Sequence, residues 1–323
     1  MDIELLRRQF AGLDSDMALF DNAGGSQVLR SVVRRIAEYF EACNVQHGAS
    51  YATSQAAGER VADARRGMAT WVNAGDPSEI VLGPSTTQLV RILAESIGRT
   101  LEAGDEVVVT NCDHEANIGP WKELERLGVV VRTWRVDPDS LELRLEDLEE
   151  LMTSRTRLVA FTHASNVLGR INPVRQFADF VRDRGAMSCV DGVAFAPHRA
   201  IDVRELGVDF YLLSLYKVFG PHMALMYGRR EAMLPLPAVN HFFIGDDALP
   251  YKFQPGNANF ELTAGLSGLW DYVEQVSEWL GFEGDPRTQQ EKMFEVFAER
   301  EAMLAETLLG FLRQRKGVRI VGP

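Results

Sequence analysis

Cysteine is scarce in this sequence. Its three residues, Cys43, Cys112 and Cys189, are odd in number and scattered, so no disulfide framework is expected and a reduced, cytoplasmic setting is the simplest reading. Basic clusters are missing too. Lys and Arg number 34 against 46 Asp and Glu, a formal net charge of −12, which argues against nucleic acid or an anionic membrane as partner. No apolar run approaches the roughly 20 residues of a membrane span, and the first eight residues have no apolar signal core. Internal repeats and low-complexity segments are absent, and no metal site is expected.

The chain does hold the ordinary makings of a globular enzyme. Across 323 residues, 46% are hydrophobic and 25% charged, enough for one large core or two modest ones. Helical patterns over 2–10, 28–42 and 55–72 precede an alternation of strand and helix. Strands are expected over 79–82, 106–110, 129–134, 158–162, 186–190 and 210–213. A further strand is expected over 222–227. Helices are expected through residue 97 after the first strand, near 145–152, over 173–184, and as two long stretches over 261–280 and 288–315. Residues 235–255 read as irregular, and 317–323 as the start of a last strand. Strand alternating with helix implies a mostly parallel sheet covered on both faces.

The chemistry concentrates where apolar strands end. Phe210 to Leu213 runs into Ser214, Tyr216 and Lys217, then a Gly220-Pro221 turn. An amine at the carboxyl edge of an open sheet stands where such folds bind ligands, and desolvation makes it a better nucleophile. A solvated turn lysine gives the same local pattern. One strand earlier, an apolar run ends in Asp191-Gly192. Ser85, Thr86 and Thr87 open a helix, either as a plain N-cap or as a phosphate cradle. His114 is either a structural histidine or a group able to exchange protons near neutrality. His47 and Tyr51 sit in a polar connector that reads equally as a solvated loop.

Taken in order, five motifs resemble class V of the pyridoxal-phosphate (PLP) aminotransferase superfamily, in its cysteine-desulfurase-like branch. They are Phe20 to Ser26, Asp113 to Trp121, Ser165 to Gly169, Asp191 to His198 and Ser214 to His222. The resemblance implies an α/β fold of PLP fold type I: a mostly parallel seven-stranded sheet with one antiparallel strand, sandwiched by helices. It implies an N-terminal segment 1–20, a large cofactor-binding domain 21–260, and connecting helices with the start of a small domain over 261–323. Lys217 would hold PLP as a Schiff base and shuttle the Cα proton, and Asp191 would pair with the pyridine nitrogen. His114 would stack on the ring, and Asn166 would reach its phenolic oxygen. Thr86, Thr87, Ser214 and Tyr216 would serve the phosphate, joined by Asn257 from a neighbouring subunit of a homodimer.

Ala194 and Tyr216 depart from the family, where glutamine and histidine are usual. These changes leave the cofactor in place but weaken the case for cysteine desulfuration. Relatives also place a substrate-binding arginine and a catalytic cysteine in a small C-terminal domain largely absent from this sequence. Arg319 has no motif support for the first role, and the three cysteines lie in the wrong places for the second. The expected function is therefore a PLP enzyme acting on an amino acid, by desulfuration, C–S lysis or related elimination, epimerisation or aminotransfer. The alternative is a PLP-binding dimeric scaffold with little turnover. A phosphosugar- or nucleotide-binding domain without PLP does not account for Asp191, His114 and Lys217 together.

Overall fold

The computed structural model describes residues 2–256 and 258–321. Seven strands form one sheet: β1 (Ile80–Gly83), β2 (Glu106–Thr110), β3 (Val130–Trp134), β4 (Thr156–Thr162), β5 (Met187–Asp191), β6 (Phe210–Ser214) and β7 (Ala224–Gly228). Their spatial order is β1-β7-β6-β5-β4-β2-β3. β7 is antiparallel to both its neighbours, and every other pairing is parallel.

The central strands are buried on both faces, which is why they read as continuous apolar runs rather than as an alternation. On β6, Tyr211 and Leu213 enter one core with Phe161, Val190 and Phe177. Phe210 and Leu212 enter the other with Leu89, Val90 and Leu93. Burying a side chain of this size contributes about 1.5–3 kcal/mol, so the two cores fix the register of β6. That register determines where Ser214 and the following turn emerge.

The major helices are α1 (Arg30–Cys43), α2 (Ala52–Trp71), α3 (Thr86–Gly98), α4 (Val174–Asp183), α5 (Ser267–Leu280) and α6 (Pro286–Arg313). None of the described helices is long and apolar enough to cross a membrane. The antiparallel strand, β7, runs as the family resemblance implies. Two expectations differ from the structure. The helix read over 261–280 is broken at Leu266 into Phe260–Gly265 and Ser267–Leu280. The break lets Gly265 and Gly268 pack hard against α1, where an added Cβ would lie 2.5 Å from Ile36 Cγ1 and from Val32 N respectively. Residues 318–321 form no strand, and Gly322 and Pro323 lie outside the described residues. A strand needs a ladder to join, and none pairs with this segment among the described residues.

Candidate active site

The ends of β4, β5 and β6 meet the start of α3 at the carboxyl edge of the sheet, the usual ligand crevice of open α/β folds. One cavity there is lined by Thr86, Thr87, His114, Asn166, Asp191, Ser214, Tyr216 and Lys217. Asn257, the ninth residue singled out from sequence, lies outside the described residues. Thr86, Asp191 and Ser214 form a buried floor, whereas Thr87, His114 and Asn166 are exposed at the rim.

Asp191 is the last residue of β5. Its Oδ1 accepts the Val193 N–H at 2.8 Å, and no donor to the other oxygen is found among the described residues. Burial pushes this carboxyl up, opposed by the Val193 N–H and by the nearby His114 and Lys217. Gly192 must lack a side chain, since a Cβ there would lie 2.1 Å from the Tyr211 ring. Across the cavity, Ser85 caps α3 by accepting the Gln88 N–H at 3.2 Å. The Thr86 and Thr87 N–H groups stand at the first two helical positions, which have no partner inside the helix. The Thr86 and Ser214 hydroxyls are 2.8 Å apart.

Lys217 ends a 3-10 turn, Leu215–Lys217. The N-terminal loop clamps that turn. Ser26 donates to the Tyr216 carbonyl from its hydroxyl at 3.0 Å and from its N–H at 2.9 Å, and its hydroxyl accepts the Phe219 N–H at 2.8 Å. Phe219 has a φ of 64°, a strained value for a non-glycine residue, which these contacts help hold in place. Gly25, within the Phe20 to Ser26 motif, allows a close approach of the chain. The approach visible here is to the Tyr216 ring, 3.3 Å from a hypothetical Cβ. Tyr216 in turn stacks on His222 at 4.9 Å between centroids.

His114 accepts the Ala116 N–H through Nδ1 at 3.1 Å. The neutral ring therefore carries its proton on Nε2 and is held in orientation. Behind it lies Asp113, to which no role is assigned from sequence. Its carboxyl accepts from the Thr110 hydroxyl and, at 2.7 Å, from the Asn117 amide. Burial nonetheless raises it from an ordinary 3.8 to about 7. His163 is also buried, with Nδ1 2.8 Å from the Tyr211 hydroxyl and its ring 3.6 Å from that of Phe195, centroid to centroid. Burial pushes its pKa down to about 3. The three cysteines are buried, and burial raises the thiols of Cys112 and Cys189, so none is an exposed thiolate.

This buried acid and this buried base set a pH test. Asp113 has a raised folded pKa, so its contribution to stability is present below about pH 4 and is lost as pH rises to about 7. His163 has a lowered one, so its contribution is present above 6.5 and is lost as pH falls toward 3. Between about pH 4 and 6.5 the two oppose each other. Asp113→Asn removes one of them. Its stability relative to the parent should rise from pH 4 to pH 7, by at most about 4 kcal/mol for three units. Urea unfolding across that range is the measurement, and a flat difference would refute the assignment.

The sequence model of the family described as Aminotransferase class-V matches residues 18–323. The chain is 42% identical to the aminotransferase-like protein FGM3 of Gibberella zeae, over 99% of this chain and 77% of that protein. It is 36% identical to the cysteine desulfurase-like protein ustD of Aspergillus flavus, over 86% of this chain and 65% of that one. Its fold matches the crystal structure of the cysteine desulfurase CsdA of Escherichia coli with a TM-score of 0.76, at 28% identity, covering 98% of this chain and 79% of that one. The fold is thus that of the fold type I, PLP-dependent enzymes. The chain belongs to the aminotransferase class-V family, in its cysteine-desulfurase-like branch.

The donor set fits PLP. A helix start with unpaired N–H groups and neighbouring hydroxyls suits a phosphate. A buried carboxylate with one oxygen lacking a donor suits a protonated ring nitrogen. The amine of Lys217 lines the same cavity.

Proposed function

We propose that this chain is a PLP-dependent enzyme acting on an amino acid, in which Lys217 carries the cofactor and moves the Cα proton. The observation that carries this reading is the placing of Asp191, Lys217 and the hydroxyl-rich start of α3 around one cavity. Thr86, Thr87, Ser214 and Tyr216 would hold the phosphate, and Asn166 would orient the ring oxygen from the rim. Bound there, PLP supplies an electron sink for charge developing at the substrate Cα. Asp191 supports that role by holding a cationic nitrogen in a site shielded from water. The Lys217 amine would accept the Cα proton, and His114, on the rim of the same cavity, would serve as a second proton carrier.

The reaction belongs among desulfuration, C–S lysis, elimination, epimerisation and aminotransfer. The buried cysteines weigh against sulfur transfer to a described thiol. A homodimer in a cytoplasmic setting completes the proposal. One observation favours a second reading, a PLP-binding scaffold with little turnover. No arginine is among the described residues lining the cavity, so no bidentate partner for a substrate carboxylate stands there.

The purified protein is expected to show visible absorption from covalently held PLP, which apoprotein lacks. Adding L-cysteine and assaying sulfide and alanine then separates the readings. Sulfide or alanine production above the free-cofactor rate supports the enzyme. A loaded protein inert toward cysteine and other amino acids supports the scaffold, and a colourless protein after PLP addition sinks both.

A further inference from the structure

A second pocket, of about 300 Å³, lies between α2 and the irregular segment that precedes Asn257, and it shares no lining residue with the cavity above. Arg65 of α2 lines it and is only 8% exposed. Its Nη2 donates to Gln254 Oε1 at 3.2 Å, and its Nε has no partner among the described residues. Gln254 is itself fixed, since its Nε2 donates to the Leu82 carbonyl at 2.7 Å. The Tyr251 ring lies 5.1 Å from the Arg65 guanidinium carbon. A buried guanidinium is normally paired with a carboxylate, because an uncompensated buried charge is costly. Here the neutral amide of Gln254 takes that place. The adjacent Arg66, by contrast, is exposed and paired with Asp63.

The surroundings share this polarity. His47 and His241 line the same pocket, and among the described residues no aspartate or glutamate does, in a chain whose net charge is −12. We propose that this pocket binds a small anion presenting carboxylate or phosphate oxygens, which completes the coordination of Arg65. The field of Arg65 acts on His47, whose pKa is lowered by burial first and by that charge second. An anion on Arg65 removes the second effect. The anion is a ligand additional to the cofactor, and the inference does not depend on which reaction the chain performs.

Isothermal titration of the PLP-saturated protein with inorganic phosphate and, separately, with succinate at constant ionic strength tests it. One saturable site per chain is expected, and the two titrations distinguish a phosphate site from a carboxylate site. Arg65→Gln is expected to weaken binding by at least about tenfold, the scale of one charge-assisted contact. Because Arg65 is buried, a second pair of variants keeps the test sharp should that protein fail to fold. Gln46 is exposed at the pocket, so Gln46→Glu and Gln46→Lys leave the fold intact. They are expected to shift affinity in opposite directions, weaker for Glu and tighter for Lys. Absence of saturable binding, or affinity indifferent to all of these substitutions, overturns the proposal. So does an Arg65→Gln protein that binds both anions normally but sediments as a smaller species. That outcome would mean that a second copy of the chain supplies the counterion.

Discussion

Lys217→Ala is expected to abolish covalent retention of PLP and to lower any turnover by about a hundredfold to ten-thousandfold, the range for losing a positioned acid–base group. The side chain is half-buried, and no hydrogen bond to its amine is found among the described residues, so alanine removes chemistry rather than support. The turn itself is held by backbone and by Ser26, which the substitution leaves in place. Borohydride reduction followed by peptide mass mapping should fix pyridoxyl to the peptide containing residue 217 in the parent and to no peptide in the variant. An adduct of equal stoichiometry in Lys217→Ala would place the cofactor amine elsewhere. Lys252 is the instructive comparison. It is fully buried, but its ammonium donates to the carbonyls of Met233, Leu234 and Asp246, so it is committed to holding the irregular segment.

The parts of this fold that the sequence displays are those written in local patterns. Doubly buried strands such as Val107 to Val109 and Phe210 to Leu213 are apolar throughout, and each ends in a residue able to do chemistry, Thr110 and Ser214 respectively. The local patterns leave most of the site residues ambiguous, and it is the family resemblance that singles out the eight that line one cavity. What local patterns cannot carry is contact between distant segments. Ser26 and Tyr216 are 190 residues apart, and nothing in either neighbourhood announces their hydrogen bonds. Asp113 reads as the companion of His114, and its network with Thr110 and Asn117 becomes visible only when the loop is folded. The junction at Leu266 falls where Gly265 and Gly268 pack against α1, a contact that the local helical pattern does not show. The last residues have strand-like composition, but composition supplies no partner strand.

Asp191→Asn is expected to separate stability from function. The carboxyl is buried, and burial raises its pKa, so its contribution to folding is present below about pH 4 and is lost as pH rises through the folded value. An asparagine keeps an oxygen for the Val193 N–H and carries no charge. The apoprotein of Asp191→Asn should therefore melt higher than parent apoprotein at pH 8, despite an amide N–H₂ that gains no evident acceptor. With PLP present the order should change. A ring N–H⁺ facing the ionised carboxylate offsets its burial in the parent, and an amide cannot do this. PLP should accordingly raise the parent's melting temperature by more than it raises the variant's. Some cofactor should still be retained, because the start of α3 and Lys217 are untouched. Turnover should fall by about a hundredfold or more, as when one electrostatic partner is removed from where charge develops. The carboxylate is then a group whose cost to the empty fold is recovered only when its partner binds, as at sites where function is maintained against stability. Equal melting shifts on adding PLP, together with unchanged turnover, would remove Asp191 from the cofactor's ring and leave it a buried acid without a role.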